Sequence, residues 1–114
     1  MAVYRGVVEK GGGTGRTFGF PTANIALADG SVSGIYAGRV RFGGGEYNAA
    51  VYADVKRKLL EAHVLHFDDD LYGVEIEIEL LKKIREDKQF ADETEAKATI
   101  AEDVRLVEEY CRMP

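Results

Sequence analysis

From Val74 to Leu80 the chain alternates without a break, with Val74, Ile76, Ile78 and Leu80 on one side and Glu75, Glu77 and Glu79 on the other. A period of two belongs to a β-strand with one buried and one wet face. Such a strand needs partners, and the chain offers several β-prone runs: Tyr4 to Val8, Ile35 to Phe42, Tyr47 to Tyr52 and Glu61 to Phe67. In the second of these, Tyr36, Gly38, Val40 and Phe42 share a face. Gly43-Gly44-Gly45 turns it back into the third as a hairpin, while Asp29-Gly30-Ser31 and Asp68-Asp69-Asp70 mark polar turns. Only the last fifth changes period. Ile100, Val104, Val107 and Cys111 recur at helical spacing, with Asp92 as N-cap and Glu95 as its capping-box partner, which predicts an amphipathic helix over 93–112. The fold class is therefore α+β, mainly β. Short antiparallel strands with glycine-marked corners and a terminal helix suggest a small barrel closed by that helix.

A chain of 114 residues has room for one core and one site, so a single domain over 1–114 is expected. The formal charge of −5 argues against a sequence-independent nucleic-acid binder, which needs a basic face to displace phosphate counterions. A nucleotide ligand stays open, because local backbone N–H groups and one cation can hold phosphate inside an acidic protein. Cys111 is the one cysteine, so no internal disulfide forms, and no Cys/His cluster has zinc spacing. The start, Met-Ala-Val-Tyr-Arg, has no apolar signal core and no window is apolar enough to span a bilayer. A cytoplasmic monomer with no membrane partner is the expectation.

The segment from Gly6 to Asn24 holds the densest chemistry. Gly11-Gly12-Gly13-Thr14-Gly15 can adopt positive φ and bring backbone N–H groups close to a ligand, although the run is neither a Walker A loop nor a dinucleotide fingerprint. Pro21 biases Phe20 toward extended geometry, so Thr22 and Asn24, two apart, project from one side of an extended segment. A hydroxyl and an amide carbonyl suit magnesium, a hard cation that keeps waters and shares substrate phosphates. From the residues alone the plainer reading is a turn in which both side chains satisfy local backbone groups.

The pattern G-x-V-x-x-G-x-x-x-G-R-x-x-G-F-P-T-A-N, filled by Gly6, Val8, Gly11, Gly15, Arg16, Gly19, Phe20, Pro21, Thr22, Ala23 and Asn24, resembles the signature of riboflavin kinases. Further matches follow in order: Gly34-Ile35-Tyr36-Ala37, Glu61-Ala62-His63-Val64-Leu65 with Phe67, Leu71-Tyr72-Gly73, Ile84-Arg85 with Phe90, and Ile100 with Asp103. The resemblance implies a closed six-stranded antiparallel, Greek-key-like barrel with a C-terminal helix. It implies an ATP:riboflavin 5′-phosphotransferase that makes FMN and ADP with Mg2+ as cofactor. By position, Thr22 and Asn24 would hold the metal and the nucleotide phosphates, and Gly11, Gly15 and Arg16 would belong to a loop over them. Glu61 would take the proton from the riboflavin hydroxyl, and Arg85 and Phe90 would lie in a second flap near the flavin. The plain alternative for Glu61 is a solvated strand glutamate like Glu75, Glu77 and Glu79.

The match breaks between Tyr47 and Glu61. There the family has an Asn-Ile-Gly run and a Pro-Thr-Phe loop, and this chain has Asn48-Ala49-Ala50-Val51-Tyr52-Ala53-Asp54 followed by Val55-Lys56-Arg57-Lys58, read as a solvated basic turn. A non-catalytic flavin- or nucleotide-binding module of the same fold is the competing reading, and an oligonucleotide-binding barrel is disfavoured by the acidic balance. His63 shares a strand face with Glu61 but reads as structural, as does His66. Tyr72 reads as core or rim packing. Relatives in bacteria commonly carry an adenylyltransferase domain ahead of this one, for which 114 residues leave no room, so FMN is the expected product.

Overall fold

The computed structural model describes residues 2–9, 22–67 and 69–112. Six strands and one helix follow in the order β1 (Ala2–Val7), β2 (Ala23–Ala26), β3 (Gly34–Phe42), β4 (Gly45–Asp54), β5 (Leu59–Val64), β6 (Glu75–Arg85) and α1 (Glu93–Arg112). In space the strands run β1-β6-β3-β4-β5-β2, every neighbouring pair antiparallel. β3, β4 and β5 form a meander and β6 returns beside β3, which is the Greek-key order. The two ends of the sheet approach each other: the Glu9 N–H donates to the Asn24 carbonyl at 2.8 Å, and a Cβ on Gly6 would stand 3.1 Å from that of Ile25. The result is a nearly closed barrel with a C-terminal helix, as the sequence led one to expect.

The alternation in β6 works as read for Ile76, Ile78 and Leu80, which join Val8, Ile25, Val40, Val51 and Leu60 in the barrel interior. It fails at both margins. Val74 lies outside the strand and is exposed, and Glu79 is buried. The cause at Glu79 is tertiary: Arg41 on β3 reaches it at 2.7 Å and also holds Glu77 at 3.1 Å and Glu46 at 2.9 Å. A single guanidinium thus ties three strands and covers a carboxylate that periodicity assigns to water. Tyr72, read as packing, is exposed. One end of the interior is plugged by Phe42 stacked on Tyr47 at 4.8 Å, with Phe67 edge-on to both at 5.2 Å.

The helix starts where its cap dictates. The Asp92 carboxylate accepts the Glu95 N–H at 2.8 Å, satisfying one of the first-turn donors that have no intrahelical partner. Glu95 does not complete the box, since its carboxylate turns instead to Lys88 at 3.4 Å. α1 packs on the outside of the barrel, Val107 against Ala37 and Leu65, with Ala50, Ile84 and Val104 around them. Ala37 and Ala50 are cross-strand partners, and two small side chains side by side let a helix approach the sheet closely. β3 is therefore covered on both faces.

Gly38, midway along that strand, has no room for a side chain: an added Cβ would meet Val51 Cγ2 at 2.7 Å and the Glu79 carbonyl oxygen at 2.9 Å. Because one of those atoms is backbone of the neighbouring strand, Gly38→Ala should destabilise by about 1–3 kcal/mol. Urea denaturation checks this, and a loss below roughly 0.5 kcal/mol would mean that the β3–β6 pairing yields where close packing says it cannot.

Candidate active site

Directly opposed residues in an antiparallel sheet project from the same face. Following the register outward from β2, Asn24 opposes Glu61, Glu61 opposes Tyr52, Tyr52 opposes Ile35 and Ile35 opposes Arg85. One row of side chains thus crosses five strands on the outer surface of the barrel. Ile25 and Leu60, one position along, point inward to the core. Where α1 and the segment 86–90 stand off from this row, they enclose a pocket of about 270 Å³.

The pocket has two characters. Ile35, Ala50, Phe90, Ile100 and Val104 give it an apolar side that a flat ring would fill, and Thr22, Tyr52, Asp54, Arg57, Glu61 and Lys88 give it a polar side. Of the candidates read from the sequence, Thr22, Glu61, Arg85 and Phe90 line this one cavity. Asn24 is not on its surface; it lies beneath, 2% exposed, next to Glu61 in register. Its Oδ1 is buried with no hydrogen-bond partner among the described residues. A buried amide oxygen left without a donor is costly, and a hard cation is one group that would satisfy it. Gly11, Gly15 and Arg16 lie outside the described residues.

Glu61 is no solvated strand glutamate, being 6% exposed. Burial pushes its carboxyl above the usual range, Arg57 pulls the other way, and the like charge of Asp54 adds to the rise. The basic turn is solvated as expected, residues 55–58 all being exposed, but the four-residue hairpin loop also folds its arginine back over the sheet, with Nη1 at 3.3 Å from Glu61 and 3.5 Å from Asp54. The Asp54 Oδ1 also accepts the Arg57 backbone N–H at 3.1 Å, which pins the turn. The sequence marks the turn and its positive charge, but not that Arg57 reaches Asp54 and Glu61, three residues before it and four after it.

Arg85 faces the pocket as part of a bidentate pair with Asp103 of α1, at 2.8 and 2.7 Å. The pair locks the helix to β6 and fixes the direction of the guanidinium. Tyr52, absent from the sequence candidates, is the largest side chain in the row. Its hydroxyl donates to Asp87 Oδ2 at 2.8 Å, and burial, followed by that bond, holds the phenol protonated far above its ordinary range.

A Greek-key barrel with an amphipathic outer pocket, a buried carboxylate at its wall and a buried amide oxygen beside it has the features of a small-molecule binding site. A family profile described as Flavokinase, riboflavin kinase, matches residues 2–111. The bifunctional riboflavin kinase/FMN adenylyltransferase of Escherichia coli (strain K12) is 40% identical over 115 residues, covering 92% of this chain and 36% of the relative. That of Haemophilus influenzae is 36% identical over 114 residues, covering 92% and 37%. Among solved structures, riboflavin kinase from Trypanosoma brucei superposes with a TM-score of 0.71 at 29% identity, over 98% of this chain and 80% of that one. A Streptococcus pneumoniae protein described as a macrolide-efflux protein shares the fold with a TM-score of 0.79 at 25% identity, over 93% of this chain and 38% of that one. The chain belongs to the riboflavin kinase family. It spans little more than a third of the length of the curated bifunctional relatives.

The Arg85–Asp103 pair carries a stability prediction. Asp103→Ala leaves a guanidinium, 22% exposed, without its carboxylate. The expected loss is roughly 2–3 kcal/mol, below the value for a fully buried pair because water reaches Arg85. Chemical denaturation measures it; a variant as stable as the parent would show that α1 is held by its apolar face alone.

Proposed function

We propose that this domain is a riboflavin kinase that moves the γ-phosphate of ATP to the 5′-hydroxyl of riboflavin, giving FMN and ADP. The observation that carries the reading is the placement of Glu61: a buried carboxylate on the wall of a pocket that also offers an apolar side, with Asn24 and Thr22 on its β2 side. The apolar side, from Ile35 to Val104, suits the tricyclic flavin ring, and the ribityl chain would run toward Glu61 and Thr22. A strand fixes Glu61, so its carboxylate can stay within reach of the hydroxyl without a conformational search. As the new O–P bond forms and the bond to the β-phosphate bridging oxygen breaks, the hydroxyl proton passes to Glu61 and later to solvent. Arg57 balances the negative charge that Asp54 and Glu61 bring together.

Thr22 and Asn24 would hold Mg2+, the buried Oδ1 of Asn24, without a partner among the described residues, being the feature that fits it. Among the described residues no three Asp, Glu, His or Cys side chains converge on a metal position, so such an ion would depend on neutral oxygens and substrate phosphates, the usual habit of magnesium. Bound there, it would neutralise charge on the transferred group. Gly11, Gly15 and Arg16 are proposed to contact the nucleotide, and Arg85 and Phe90 to border the flavin. No helix among the described residues is long and apolar enough to cross a membrane. Cys111 is free, in keeping with the proposed reducing cytoplasm, and a monomer suffices for the site.

Chromatography of riboflavin incubated with the protein, ATP and magnesium tests the reading. FMN should form, should stop with a chelator, and should fall about 100- to 10,000-fold in Glu61→Gln. A folded protein that binds riboflavin yet makes no FMN would instead be the non-catalytic binding module. The pH dependence has a definite sign. A base works only when ionised, and the Glu61 carboxyl loses its proton at higher pH than an ordinary glutamate. The acid limb of kcat/KM should therefore lie above about 4.3, the value of an unperturbed glutamate, with activity lost as pH falls through it. A limb at or below that value would show that burial does not govern this carboxyl in the working enzyme.

A further inference from the structure

The pocket is bounded on one side by the barrel and on the other by residues 86–90, which leave β6 and lead to α1 without regular structure. This segment brings Lys88 and Phe90 to the cavity. Its ties are polar and sit near water. On the helix side Lys88 pairs with Glu95 at 3.4 Å and lies 5.7 Å from the centre of the Phe90 ring. At its root the Arg85 Nη1 donates to the Glu86 carbonyl at 2.9 Å. From the barrel side the Tyr52 hydroxyl reaches across to Asp87 at 2.8 Å.

Both members of that last bond line the cavity, so it spans the space between β4 and the segment rather than lying behind either. Tyr52 stands in the row beside Glu61 and comes from the 48–58 run, where this chain leaves the family's sequence pattern. Its ring is directed by two cross-strand neighbours, Glu61 and Ile35, and its hydroxyl donates to a side-chain oxygen of Asp87. A loop of five residues free of sheet or helix bonds has many conformations to lose, and each tie that restricts it lowers the entropy cost of closing on a ligand.

We propose that Tyr52 is a positioning residue for riboflavin: by holding Asp87 it sets the 86–90 segment, and with it Phe90, at the distance from Ile35 and Val104 that admits a planar flavin ring. The ligand named here rests on the riboflavin kinase reading. The bond between Tyr52 and Asp87 acts on the segment that borders the flavin, so its loss should act first on riboflavin binding.

The test uses the whole chain with Tyr52→Phe, which keeps the ring and removes only the hydroxyl. Limited proteolysis within 86–90 in the ligand-free protein should speed up. Riboflavin binding, read from quenching of its fluorescence, should weaken roughly three- to tenfold, the range of one lost hydrogen bond. KM for riboflavin should rise with kcat and the nucleotide KM unchanged. Asp87→Ala should reproduce these effects, the double variant should be no worse than either single one, and Asp87→Asn, which keeps an acceptor oxygen, should restore most of the binding. Unchanged cleavage within 86–90, wild-type riboflavin affinity in Tyr52→Phe, or additive effects in the double variant would each overturn the assignment. Failure of the wild-type protein itself to bind riboflavin would sink the kinase reading, and the flavin role of Tyr52 with it. Normal wild-type binding with an unaffected Tyr52→Phe sinks only the Tyr52 assignment.

Discussion

The register of the sheet is the constraint on which the remainder depends. A slip by one residue in β5 would exchange Glu61 with Leu60 or Ala62, sending a carboxylate into the core and an aliphatic side chain to the pocket. The core forbids that exchange. Leu60 is fully buried among Ile25, Val51 and Ala53, and burying a large aliphatic side chain is worth about 1.5–3 kcal/mol, whereas burying an unpaired carboxylate costs several times more. The interior packing thus selects the side of the barrel on which Asn24, Glu61, Tyr52, Ile35 and Arg85 emerge, although none of them belongs to the interior cluster.

Charge compensation then makes the outer row tenable. Glu61, Asp54, Glu79 and Asp103 are all buried carboxylates, and three guanidiniums answer them: Arg57 for the first two, Arg41 for Glu79 and Arg85 for Asp103. Arginine suits this task because its planar fork serves several oxygens at fixed angles. The Arg41 and Arg85 pairs hold strands and helix in place. The Arg57 contacts are longer and lie on the pocket wall, and Glu61 keeps a raised proton affinity despite them, since burial is the larger influence. A buried carboxylate of that kind suits the role of base proposed for Glu61.

Much of the architecture could be read from the chain. The period-two run of β6 placed Ile76, Ile78 and Leu80 inside, the hairpin at Gly43-Gly44 joined β3 to β4, and Asp92 set the start of a helix that ends at Arg112. The short β2 was visible only as an extended segment after Pro21, because four residues are too few for a periodic signal. Its last described neighbours in the pattern, Thr22 and Asn24, nevertheless fell on the same side as Glu61. Periodicity assigns Glu79 to water, and Arg41, distant in sequence, covers it; Arg57 is exposed as its turn predicts, and what the fold adds is its contact with Asp54 and Glu61. Tyr52 passed unremarked because an aromatic residue in a strand is the commonest of core signals.

By itself the sequence determined the class of fold, the helix and its cap, the family, and the residues proposed for metal, base and flavin contact. These depend on local periodicity and on short motifs, which are written along the chain. The tertiary structure alone decided which side chains share a surface, because Asn24, Glu61, Tyr52, Ile35 and Arg85 lie on five strands whose neighbours in space are not their neighbours in sequence. It also decided which charges lose their water, and so why Glu61 differs from Glu75. Burial and cross-strand register are properties of the closed barrel, and they exist only when all of its strands are in place.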